Sequence, residues 1–129
     1  MFDNLNDAAV YESGLAPGKT EIWYMTEGSW RELPMFLSFT AELPDDLPVD
    51  PLNLSRTHRM LGRIRSKRKE EIFRMMQGDF WSPQGEARKL ITALGLRHTS
   101  MSVGDIVVIN SVAWIVMGMG FGRIGKVDE

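Results

Sequence analysis

An α+β fold is predicted, with a small curled or barrel-like, mainly antiparallel sheet, two short helices and a C-terminal β-hairpin. Three observations carry it. Short β-branched and aromatic runs sit near both ends of the chain, helix-spaced apolar stripes lie between them, and the polar pair Asn110-Ser111 separates two apolar runs as a hairpin turn does. With 129 residues, 43% of them hydrophobic, the chain suits one domain with a modest core.

In chain order, residues 1–18 are acidic, weakly periodic and end in Ala16-Pro17-Gly18, so a loosely packed arm precedes a single domain over 19–129. Glu21 to Thr26 is aromatic and β-branched and meets Glu27-Gly28-Ser29, a strand followed by a turn. Met35 to Thr40 reads as a second strand. Prolines and aspartates between Leu43 and Pro51 dictate an extended loop. His58, Met60 and Ile64 alternate within Arg56 to Arg65, whose charges suit an edge strand. Ser66 then caps a helix carrying Ile72, Phe73 and Met76, which Gly78 stops. A second helix is predicted from a Ser82 cap and Pro83 at its first position, with Ala87, Leu90, Ile91 and Leu94 as its apolar stripe and Gly95 as its end. Val103-Gly104-Asp105 turns into the strand Ile106–Ile109, and Ala113 to Met117 and Phe121 to Ile124 complete the sheet.

Composition excludes several function classes. The absence of cysteine removes disulfides, thiol nucleophiles and thiolate metal sites, and fits a reducing, cytoplasmic compartment. The N-terminus has no basic, apolar leader, and no apolar run approaches the ~18 residues of a membrane helix, so no membrane partner is expected. The net charge of −2 conceals segregation: residues 1–55 carry −8, and residues 56–74 carry +6. Within that basic block Arg63, Arg65, Lys67, Arg68 and Lys69 could neutralise phosphates, giving a nucleic-acid-binding alternative. Against it stand possible pairing with the acidic block, few interleaved aromatics and a pI of about 5.7.

The segment HTSMSVGD is the most function-like. His98, Ser100 and Asp105 are the residue types of a nucleophilic triad, but triad members come from separate elements, and seven neighbouring positions rarely form a relay. The alternatives are a binding surface formed by His98, Thr99, Ser100 and Ser102, or a turn whose hydroxyls satisfy backbone groups while Asp105 accepts amide hydrogens. Phe80-Trp81 and the nine methionines fit either a recognition surface or a core, with Trp81 also placed to staple the following helix. Gly120 to Gly125 spells GxGxxG, but no helix can follow in the four remaining residues, so the glycines are assigned to bending or close packing of a strand. His58 and His98 are the only imidazoles and lack acidic neighbours at ligand spacing; neither metal nor cofactor is expected, and Asp45, Asp46 and Asp50 read as a solvated loop.

The run His98, Ser100, Met101, Ser102, Val103, Gly104, Asp105, Ile106, Val107, Val108, closed downstream by Gly120-Phe121, resembles the signature of the bacterial YodL-like domain. The resemblance extends over residues 20–125, with its specific part in about the last thirty. It implies a small intracellular domain, often encoded on plasmids, integrative elements or prophage-like islands, without an established catalytic activity. The sequence departs from that pattern in its longer centre, WSPQGEARKLITALGL, and in the basic block. The expectation is a non-enzymatic domain of a mobile genetic element that binds a protein partner, an anti-defence or accessory factor being one form.

Overall fold

The computed structural model describes residues 17–26, 37–39, 42–65, 68–85 and 87–128. Strand β1, Pro17–Met25, alternates as a strand covered on both faces must: Ile22 and Tyr24 turn to one side, Trp23 and Met25 to the other. It starts two residues before the predicted boundary at Lys19. Pro17 pairs with Ile64 through a bulge, and a Cβ on Gly18 would collide with the backbone of Ile64 and Arg65, so the predicted breaker is where two strands pass closely.

Four more strands follow: β2 (His58–Ile64), β3 (Ile106–Ile109), β4 (Val112–Met117) and β5 (Gly120–Lys126). All pair antiparallel in the order β2-β1-β3-β4-β5. The α+β class and antiparallel sheet stand, but the barrel does not close. Strands β2 and β5 are separate edges, because each face of the open sheet is covered by another layer and closure is not needed to bury it. Asn110 and Ser111 both adopt positive φ, 50° and 65°, the twist that a two-residue hairpin requires.

Three short helices, α1 (Lys69–Met75), α2 (Gly78–Trp81) and α3 (Arg88–Ala93), cover one face where two were predicted. Ile72, Met76, Trp81, Leu90 and Ile91 pack there against Ile22, Tyr24, Leu61, Val107 and Val116. Gly78 opens α2 instead of merely ending α1. The predicted helix from Ser82 shrinks to α3, because residues 82–85 form a turn in which Gly85 has φ +78°. Ser82 still accepts a backbone hydrogen, from Ala87 at 2.9 Å. Gly95 ends α3 at φ 72°, with its N–H on the Thr92 carbonyl and that of Leu96 on Ile91, a Schellman close.

The opposite face is covered by the proline-rich loop and a one-turn 3-10 helix, Leu54–Arg56. Val49 and Leu54 are buried against Ile106, Val108, Ala113, Ile115 and Met117. At about 1.5–3 kcal/mol for each large apolar side chain removed from water, this loop is a structural layer and not a tether. Of the strand predicted over Met35–Thr40, residues 37–39 are described and form a helical turn, with Leu37 buried and Phe39 86% exposed. The predicted arm up to residue 16, the turn at Glu27-Gly28-Ser29, the Ser66 cap and Lys67 lie outside the described residues.

Candidate functional site

The segment from His98 to Asp105 crosses the end of β1 and is tied to it by side chains. Gly104, at φ 98°, permits the turn into β3. Its N–H donates to the Val116 carbonyl, and Val116 N–H donates to that of Asp105, locking the turn onto β4. The Asp105 carboxylate is fully buried and accepts three hydrogens: Met25 N–H on Oδ1 at 2.8 Å, and Ser102 N–H and His98 Nε2–H on Oδ2, each at 2.8 Å. Burial pushes this carboxyl up from the ordinary range, while His98 and the two amides pull it back.

The His98 ring stacks on Tyr24, with centroids 4.7 Å apart and planes 10° from parallel. Burial drives the His98 pKa down, but the hydrogen bond and charge of Asp105 outweigh it, leaving the imidazole above its ordinary value. Tyr24 donates its hydroxyl hydrogen to the Thr99 carbonyl at 2.7 Å, and Trp81 donates its indole hydrogen to the same oxygen at 3.0 Å. Burial, then the charge of Asp105, holds the Tyr24 phenol well above the usual range. His58 approaches the turn separately. Its Nε2–H donates to the Gly104 carbonyl at 2.7 Å, and its Nδ1 accepts from the Thr57 hydroxyl at 2.7 Å. Burial lowers its pKa to about 4, so it is neutral near pH 7.

The two serine hydroxyls are engaged in building. Ser100 Oγ accepts from Gly78 N–H at 2.7 Å, tying the segment to α2, and Ser102 Oγ donates to the Ser100 carbonyl at 2.9 Å. Met101 is buried, its N–H on the Met76 carbonyl. His98, Ser100 and Asp105 therefore do not form a relay: the imidazole meets the carboxylate, but neither serine oxygen meets the imidazole. A cleft of about 430 Å³ between α2 and α3 includes Thr99, Arg88 and Arg97 but not His98. Trp81 is fully buried as the last residue of α2, so it is core and not the staple of α3. Sequence reasoning anticipated Asp105 accepting amide hydrogens but missed Tyr24 and His58. Nothing local marks them, since they reach the segment from 75 and 46 positions away.

The basic residues scatter. Arg63 pairs with Glu21 at 3.3 Å, Arg68 with Glu71 at 3.1 Å, and Lys69 lies 4.1 Å from the centre of the Trp114 ring. Arg65 is exposed, and Lys67 is outside the described residues. The GxGxxG run is strand β5. A Cβ on Gly122 would press on Met117 Sδ and the Leu43 side chain, which fits close packing there, whereas Gly120 has open space around it and φ 90°, which fits a bend. Asp50 accepts the Leu52 N–H in a local turn. Among the described residues no three His, Asp or Glu side chains converge as metal ligands, and no helix is long and apolar enough to cross a membrane.

Phe80, unlike Trp81, is about half exposed, as is Leu52, and two further features face outward. Gly118 N–H donates to the Leu37 carbonyl at 2.9 Å, which brings Phe39 and Met119, 86% and 78% exposed, to the same end of the sheet. Beside them runs the outer edge of β5. Compared with protein-family models, curated proteins and solved structures, the chain matches none.

Proposed function

We propose that this is a non-enzymatic protein-interaction domain, of the YodL-like kind that the His98–Val108 signature suggests, acting for a mobile genetic element as an anti-defence or accessory factor in the cytoplasm. The observation that carries the interaction reading is the pair Phe39 and Met119 at one end of the sheet, more exposed than Leu52 and Phe80, the other large apolar side chains that are over half exposed among the described residues. The chemistry-bearing side chains of residues 98–105 support the same reading from the other direction: the histidine, both serine hydroxyls and the carboxylate all have structural partners. The resemblance to the YodL-like signature is then accounted for by construction, since His98, Ser100, Met101, Gly104 and Asp105 each hold the turn.

The test is capture of a stoichiometric partner from lysates of candidate bacterial hosts, comparing the intact chain with a Phe39→Ser, Met119→Ser double variant. Both positions are exposed, so the thermal midpoint should stay near that of the parent while capture falls by about tenfold or more. Recovery of no stoichiometric partner, or equal recovery by both proteins, sinks the proposal. For the nucleic-acid alternative, reversing the charges of Arg65, Lys67, Arg68 and Lys69 should abolish low-salt retention on nucleic acid if that reading holds.

A further inference from the structure

The two edges of the sheet are treated differently. On β2, Arg59 Nη1 donates to the His58 carbonyl of its own strand and to that of Ser55, at 2.8 and 2.6 Å. A charged side chain folded over the backbone is one way an edge strand is kept from pairing with another chain. On β5 the glycines at 120, 122 and 125 leave the backbone unshielded. Among the described residues, no backbone hydrogen bond reaches its outer side, while its inner side is paired with β4 from Gly120 to Lys126, with one register shift between Arg123 and Gly125. Arg123 and Lys126 are exposed on the same strand. Met119 and Phe39 stand at its start.

We propose that β5 receives an extended, acidic segment of a partner protein as a sixth strand, its Glu or Asp side chains meeting Arg123 and Lys126. This rests on the interaction-domain reading above and names the partner's chemistry. Backbone pairing supplies the affinity in such strand addition, and alternate side chains supply the selectivity. Charge chooses the occupant: a second copy of β5 would bring Arg123 and Lys126 against like charges, which opposes self-pairing, whereas an acidic strand complements them. An apolar residue at one end of the incoming segment would cover Met119.

Alternation along the β4–β5 ladder turns the Arg123 N–H outward, where proline can replace the residue without removing a bond of the sheet. The probe is a labelled synthetic peptide of about ten alternating Glu and Val residues. It is compared with a Lys-for-Glu version and with an acidic version carrying proline at alternate positions. Binding of the first should exceed the other two by about tenfold or more and weaken with salt. Amide shifts should be centred on residues 119–127. An Arg123→Glu, Lys126→Glu variant should reverse the preference, and Arg123→Pro should weaken binding about tenfold. An unchanged thermal midpoint shows that either variant is folded; the charge variant keeps the test alive if the proline variant unfolds. Equal binding of the proline-bearing peptide, or shifts away from β5, overturns the proposal. If a partner captured by the intact chain also binds both variants unchanged, strand addition fails while the interaction-domain reading survives; if no partner is captured, that reading fails first.

Discussion

His58 and His98 flank the same turn, and their surroundings shift their pKa values in opposite directions. His58 is enclosed and faces a carbonyl and a hydroxyl, groups that leave a neutral ring satisfied: Nε2–H to Gly104, Nδ1 from Thr57. His98 is about one-third exposed in its side chain and faces a buried carboxylate. Burial pulls the His58 pKa down although the Gly104 carbonyl raises it; at His98 the Asp105 carboxylate outweighs burial and lifts the pKa. The lesson is that a histidine's role here follows from which oxygen it meets, and that oxygen is chosen by the backbone turn at Gly104-Asp105.

The largest expected effect removes the group on which one side of the contrast depends. Asp105→Ala leaves the Met25 and Ser102 amides and the His98 ring without their acceptor, and loss of one member of such a buried charged network costs about 3–5 kcal/mol. Urea unfolding at neutral pH measures it. A loss below about 1 kcal/mol would mean that the carboxylate is not the fastening point of the turn.

A smaller effect is expected at His58. Its folded pKa of about 4 lies below the ordinary 6.5, so the unfolded chain binds more protons between these values. Stability contributed by neutral His58 is complete above pH 6.5 and declines with acid through that window, by up to about 3 kcal/mol. His58→Gln retains a donor for the Gly104 carbonyl but does not titrate. Its unfolding free energy should lack this acid decline between pH 6.5 and 4, at a cost near pH 7 of about 1–2 kcal/mol. An acid profile parallel to the parent's would contradict the assignment of a neutral, buried ring.

The smallest effect, with the opposite pH dependence, is expected at His98. A raised folded pKa makes its contribution complete below 6.5 and lost as pH climbs through the folded value. His98→Gln should therefore cost about 1 kcal/mol or less near pH 6 and converge on the parent in mild alkali, since the ring is partly open to water. Histidine ring titration by NMR gives the order directly, His58 low and His98 high. Reversal of that order would break the comparison at its root.

Much of the fold was legible locally. Aromatic and β-branched composition marked β1, alternation marked β2, the Asn110-Ser111 pair marked the β3–β4 hairpin, and Gly95 marked the end of α3, because each depends on neighbours along the chain. Ser82 and Pro83 misled because they resemble a helix start, yet α3 begins at Arg88 after a separate turn. The candidate site was legible only in outline. HTSMS was recognisable as turn or site, but its structural meaning depends on Tyr24, His58, Met76 and Gly78, which reach it from other elements. The proline-rich loop was recognised as extended; that it covers a sheet face depends on Val49 and Leu54 finding Ile106 and Ile115.

By itself the sequence determined the α+β class, the strand-rich stretch after Asp105, the tight hairpin and the lack of a thiol, since backbone preference and composition act over a few residues. Tertiary structure alone decided that the sheet stays open, that His58 is neutral near pH 7 while His98 faces Asp105, and that the outer edge of β5 is unpaired among the described residues. Each of those depends on which distant oxygen, amide or strand arrives alongside, and burial and electrostatics are properties of the assembled neighbourhood, not of the local run.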